Sequence, residues 1–204
     1  MYNIVDLKSN EGSKQMEKST EVEFKTLLSN EEYDRLMDKF KGNRMDLQTN
    51  HYFDTSRFSL KALDASLRVR ERDSLELTLK RKKGYVIQEF NLPISKETFD
   101  EIKSTGVLPE SELKSEVNNL IGDQKLTNFL SLSTLRMFFP YKTGILFIDK
   151  STYLGITDYE LEYEAKSYHT GKKEFIELIG ELNLQYKKSE KKVKRAYNAF
   201  KKLN

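Results

Sequence analysis

The feature that most restricts this chain is an alternation of charged and apolar residues, kept over one stretch after another. In Ser66-Leu67-Arg68-Val69-Arg70-Glu71-Arg72, arginines stand at every second position with Leu67 and Val69 between them. Leu75 to Lys82 repeats the rule, setting Glu76, Thr78, Lys80 and Lys82 against Leu75, Leu77 and Leu79. Glu21-Val22-Glu23-Phe24-Lys25 opens the pattern, and Tyr159-Glu160-Leu161-Glu162-Tyr163-Glu164 returns to it late. Successive side chains of a β-strand point to opposite faces, so period two is a strand signature. These segments predict a sheet with one apolar and one strongly charged face. A single charged strand face is simply solvated at many sheet edges; its recurrence down the chain needs another explanation.

Composition narrows the choice. Charged residues make up 33% and hydrophobic ones only 37%, yet there are 12 Phe and 11 Tyr, aromatics that a disordered chain lacks. Thirty-five basic and 32 acidic residues leave a net charge of only +3, which argues against a general nucleic-acid binder. The absence of cysteine excludes disulfides and thiolate metal sites. With only His51 and His169 available, any metal would be held by oxygen, which favours magnesium, manganese or calcium. No apolar run reaches the length of a membrane span and the N-terminus has no signal-peptide core, so a soluble cytoplasmic protein without membrane partners is expected.

Residues 1–17 are polar and aperiodic and are expected to form a flexible tail; 18–204 form one domain, with no internal repeat and no Pro- or Gly-rich linker. Strands are predicted at about 20–28, 48–54, 66–72, 75–82, 85–94, 132–142, 144–151 and 159–164. Helical spacing or a start signal marks 30–41, a short helix after Ser95, two pieces within 110–130 around Gly122-Asp123, 171–185, and a basic helix from Ser189 to Leu203. About eight antiparallel strands with short turns can close a barrel. The apolar stripes of the helices need apolar partners, and the apolar strand faces are the large candidates. Helices then pack outside, and the charges line the lumen.

The expected fold is therefore α+β, mainly β: a closed eight-stranded antiparallel barrel, or tunnel, with outer helices and a C-terminal helix. Its lining sets Lys25, Arg68, Arg70, Lys80, Lys82 and Arg136 against Glu21, Glu23, Asp149, Glu160 and Glu162. Basic groups suit a polyanion, and carboxylates at i, i+2 on two strands suit a divalent cation; together they describe a site for a metal-bound polyphosphate.

Those same residues carry a resemblance. Glu21-x-Glu23-x-Lys25 resembles the N-terminal signature of the CYTH superfamily, the triphosphate tunnel metalloenzymes. Tyr52-Phe53-Asp54-Thr55, Leu67-Arg68-Val69-Arg70, Leu77-Thr78-Leu79-Lys80, Ile148-Asp149-Lys150, Glu160-Leu161-Glu162 and Lys192-Val193-Lys194-Arg195 resemble its later motifs, in the family's order. The resemblance implies a small-molecule triphosphate substrate and Mg²⁺ or Mn²⁺ as cofactor. It implies that Glu21, Glu23, Glu160 and Glu162, joined by Asp149, hold metal directly or through water. Lys25, Arg68, Arg70, Lys80, Lys82 and Arg136 would grip phosphate oxygens, and Lys192 would close on the substrate from the C-terminal helix. Glu21, Glu23, Lys25 and Lys192 form the catalytic set so implied. The expected reaction is attack of metal-activated water on a terminal phosphorus. Inorganic tripolyphosphate leads, because it needs nothing beyond the charged lining. Class IV adenylyl cyclase activity, thiamine or nucleotide triphosphatase activity, and a non-catalytic polyphosphate or nucleotide sensor are the alternatives.

Arg72 and Lys82 stand near strand ends, Glu76 and Glu164 read as ion-pair partners, and His51 reads as structural. Tyr52, Phe53 and Tyr159 read as wall or core residues, and the basic C-terminal run as a solvated face apart from Lys192 and Arg195.

Overall fold

The computed structural model describes residues 17–20, 22–83 and 86–203. The stretch expected to be a tail lies outside these apart from Glu17, and Glu21 lies outside them as well. Nine strands form one antiparallel sheet: β1 (Glu17–Thr20), β2 (Val22–Leu28), β3 (Arg44–Thr55), β4 (Ala65–Glu71), β5 (Leu75–Lys83), β6 (Val86–Ile94), β7 (Leu126–Tyr141), β8 (Gly144–Tyr153) and β9 (Ile156–Ala165). Their order is β1-β6-β5-β4-β3-β7-β8-β9-β2. β1 and β2 are separated only by residue 21, outside the described residues, and counted as one N-terminal strand they give the expected eight. β1 pairs with β6 and β2 pairs with β9, so the order begins and ends on consecutive pieces of chain. The sheet is curled: residues of β5 line one cavity with residues of β9 and β2, although β5 lies far from that pair in the order.

Side-chain parity decides which face is which. Leu67, Val69, Leu77, Leu79 and Phe90 of the β4-β5-β6 meander point outward into a core completed by α2 (Ser59–Ala62), α3 (Lys96–Thr105) and α4 (Glu112–Ile121). Leu28, Met137, Leu146, Ile148, Leu161 and Tyr163 form a second outer core under α1 (Asn30–Lys39) and α5 (Tyr168–Glu181). The helices therefore cover the apolar faces, and the charged positions face the lumen. Helix α1 starts on a capping box, in which Ser29 accepts from the Glu32 N–H at 3.2 Å and Glu32 accepts from the Ser29 N–H at 2.7 Å. No described helix is long and apolar enough to cross a membrane.

Two expectations about local structure change. The second helical piece expected before residue 130 is strand, since β7 starts at Leu126 and pairs along the whole of β3. A register shift at Tyr52/Phe53 interrupts that ladder, and such an irregularity hides period two from the sequence. The last helix, α6 (Lys192–Leu203), is not on the outside. Its Ala196 and Ala199 pack on Tyr52, Leu130, Leu132 and Tyr153, which share the lumen face with Gln48, Thr134 and Asp149. Two alanines let the helix backbone approach that face closely, and α6 fills one end of the curled sheet.

Candidate active site in the tunnel

Strand register builds the site. Arg136 on β7 lies opposite Asp149 on β8, which lies opposite Glu160 on β9; two residues along, Glu162 lies opposite Lys25 on β2. All five have lumen parity. Arg136 donates to Asp149 from Nε at 2.7 Å and from Nη2 at 2.5 Å, and to Glu162 from Nη2 at 2.6 Å. Its guanidinium also lies over the Phe147 ring, 4.3 Å from the centroid. From α6, the Lys192 ammonium reaches Asp149, Glu160 and Glu162 at 2.8, 2.8 and 2.7 Å. Arg195, one helical turn on, contacts Glu160 at 3.1 Å and Asp158 at 2.8 Å.

This wall is buried, and it stays ionised because the partners outweigh desolvation. Burial works against the Glu162 carboxylate, but Lys192, Arg136 and Lys25 hold it well below the ordinary carboxylate range. Glu160 is lowered in the same way, mainly by Lys192 against its burial. Burial likewise opposes the Lys192 and Lys25 ammonium groups, and the facing carboxylates raise both above an ordinary lysine.

The opposite wall carries the other sign. Arg68 and Arg70 on β4 and Lys80 on β5 face Glu89 on β6, with Lys80 at 3.1 Å and Arg68 at 3.7 Å from it. Glu76, near the start of β5, is 3.7 Å from Arg70. Arg68 Nε and Nη2 and Arg70 Nε are buried and have no hydrogen-bond partner among the described residues. The neighbouring Arg68 and burial together push Arg70 down to about 10, against the opposing pull of Glu76 and Glu89. Between the walls lies a cavity of about 110 Å³ lined by Glu23, Lys25, Gln48, Asn50, Arg68, Arg70, Lys80, Arg136, Glu162 and Lys192, among others.

The residues proposed from sequence fall into groups. Glu23, Lys25, Arg68, Arg70, Lys80, Arg136, Glu162 and Lys192 meet at the cavity, with Asp149 and Glu160 against the Lys192 ammonium. Lys82 is exposed toward the end of β5, beyond that set, and Glu21 is outside the described residues. Arg136 spends its Nε and Nη2 donors on carboxylates rather than offering them to the cavity. Glu89 and Ser189, which hydrogen-bonds Glu160, were not among the proposed residues. Glu89 was findable, since it pairs with Lys80 across the β5-β6 hairpin and shares its parity. Asp54, in a quoted motif, is structural: it accepts the N–H groups of Thr55, Leu60 and Lys61 at 2.7–3.0 Å and anchors the loop into α2.

Among the described residues no three acidic or histidine side chains stand as a ready-made metal group. The carboxylates of Asp149, Glu160 and Glu162 do converge, but on the Lys192 ammonium. That point is ringed by hard oxygen donors, the donor type that Mg²⁺ and Mn²⁺ take. The donor set fits such an ion provided Lys192 leaves it.

A curled antiparallel sheet around a lumen, with ion-paired carboxylates on β8 and β9 facing a basic wall on β4 and β5, defines a tunnel fold. The chain belongs to the CYTH domain family, which it matches over residues 19–197. It is 31% identical over 186 residues to YjbK of Bacillus subtilis (strain 168), a candidate triphosphatase by its name, covering 89% of this chain and 96% of that one. It superposes with a TM-score of 0.82 on a Bacillus halodurans protein described as a candidate adenylate cyclase, at 33% identity and over 87% and 97% of the two chains. HpAC1 from Hippeastrum, at 21% identity, shares the fold with a TM-score of 0.72 over 90% and 96% of the chains.

Proposed function

We propose that the protein hydrolyses the terminal phosphoanhydride of a triphosphate held in the tunnel. The observation that carries this reading is the basic wall. A buried donor without an acceptor costs about 1–3 kcal/mol, so the N–H groups of Arg68 and Arg70 that find no partner among the described residues are a cost that an oxyanion removes. Guanidinium groups side by side match the oxygens of successive phosphates, and Lys80 and Lys25 add point charge from two further strands. The name of the YjbK relative points the same way.

Phosphoryl transfer asks a protein mainly to position groups and neutralise charge. The basic wall positions the chain of phosphates; the acidic wall, on Asp149, Glu160 and Glu162, is where Mg²⁺ or Mn²⁺ would be held. When bound, the ion would neutralise phosphate charge and acidify a water molecule. Lys192, freed from the carboxylates, is close enough to turn its ammonium to the phosphate. Glu162 is tied up by Arg136, whereas Glu23, half-buried at the same cavity and paired with Lys25, is the group assigned to receive the proton of the attacking water. The likeness to the Bacillus halodurans protein supports a second reading, attack by a ribose hydroxyl on the same bound triphosphate, with pyrophosphate as the product.

Phosphate release by Arg70→Ala and Glu23→Ala variants tests the proposal. Both are expected to lose at least 100-fold in turnover while keeping the wild-type circular dichroism spectrum. Wild-type rates in both would overturn it, and cyclic AMP from ATP without orthophosphate would favour the second reading.

A further inference from the structure

The basic wall holds acceptors as well as donors, and the two have not met. Asn50 on β3 and Thr78 on β5 are 3% and 0% exposed and share the lumen face with the arginines. Asn50 Oδ1 and Thr78 Oγ1 are buried and, among the described residues, have no hydrogen-bond partner. Register sets each directly opposite an arginine, Asn50 across from Arg70 and Thr78 across from Arg68. Residues so placed on adjacent antiparallel strands have Cβ atoms about 4.5–5.5 Å apart, within reach of a long side chain. Arg68 Nε and Arg70 Nε are among the buried donors that lack a partner in the same set of residues. Asn50 has the narrower choice. Its other opposite neighbour is Leu132, which has no side-chain donor, whereas Thr78 also faces Asn91.

A polyanion answers only half of this. It brings acceptors to the arginine N–H groups but no donor to the Asn50 carbonyl, whose burial without a partner is also a cost. Both needs are met when a guanidinium divides its donors, giving Nε–H to the neighbouring strand and its outer fork to phosphate. Resting on the triphosphate reading above, we propose that Asn50 is a positioning residue for Arg70. Its side-chain carbonyl accepts the Arg70 Nε–H once a triphosphate draws the outer edge of the guanidinium into the cavity. A fork held at Nε loses less freedom for each phosphate contact it then makes. The neutrality of Asn50 is part of the device. Arg136, in the same lumen, gives Nε to Asp149 and Nη2 to both Asp149 and Glu162, and its charge is neutralised there. An amide oxygen orients Arg70 without cancelling the charge that the phosphates need.

The test is a double-variant cycle on tripolyphosphate affinity, measured by calorimetry in chelator so that nothing is turned over. It uses wild type, Asn50→Leu, Arg70→Lys and the double variant; Arg70→Lys keeps a cation but has no guanidinium to hold. Asn50→Leu is expected to weaken binding at least ten-fold when Arg70 is present and less than two-fold in the Arg70→Lys background. Asn50→Asp, a charged acceptor of nearly the same volume, should also weaken binding at least ten-fold while raising the melting temperature of the ligand-free protein. Should Asn50→Leu fail to fold, Asn50→Ala takes its place in the cycle with the same expectation. Affinity within two-fold of wild type in Asn50→Leu or Asn50→Asp, or equal losses in both backgrounds, would overturn the positioning role and leave the hydrolase reading standing. If wild type binds tripolyphosphate but releases no phosphate with Mg²⁺ or Mn²⁺, the hydrolase reading falls, and the cycle still decides the role of Asn50.

Discussion

Arg70 lies beside Arg68, its Nε has no acceptor among the described residues, and its pKa is driven down to about 10 by that neighbour and by burial. Replacing it by a flexible apolar side chain should therefore stabilise the empty protein. Arg70→Met is expected to raise the melting temperature, by about 2–4 °C for each kcal/mol gained in a chain of this size. The same variant should lose the stabilisation that tripolyphosphate gives wild type. A lowered melting temperature without ligand would mean that Arg70 is structural. Much of this was legible in the sequence, because Arg68 and Arg70 sit at strand parity among leucines and valines. What was not legible is that Arg136, equally basic and equally placed, spends its charge on Asp149 and Glu162. Parity gives the face, but partner choice depends on which strands become neighbours, and β7, β8 and β9 are brought together by pairing.

At the scale of elements, α6 matters most. Its alanines lie on the inner face of β3, β7 and β8, and Lys192 and Arg195 tie it to the carboxylates of β8 and β9. The sequence showed a basic helix and offered Lys192 by motif, but alanines in a lysine-rich run read as filler until a partner face is known. The sign of its pH dependence follows from the carboxylates. The pKa values of Glu160 and Glu162 are lowered in the folded state, so their contribution is complete above the unfolded value of about 4.3 and is lost as pH falls through the folded values. Amides of α6 are therefore expected to lose hydrogen-exchange protection below about pH 4, before those of β7 and β8. Simultaneous loss in helix and strands would show that the ion pairs do not hold α6 as a separate unit.

For the whole molecule, the outer helices and the inner charges are one fact. Apolar stripes on α1, α3, α4 and α5 need the apolar strand faces, and that leaves the charged faces nowhere to point but inward. This is why the architecture could be argued from alternation alone. The two-sided pairing at the N-terminus could not, because β1 takes β6 as its partner while β2 takes β9. A lumen with opposed walls makes sense around a ligand that carries both signs, a polyanion with its cation. The most direct test is orthophosphate release by the wild-type protein from tripolyphosphate, thiamine triphosphate and ATP, each with Mg²⁺, with Mn²⁺ and with chelator. The account expects release that requires the metal and that is fastest on one of the three. Tight binding of all three in chelator, with no release under any condition, would contradict it and leave a tunnel that only binds.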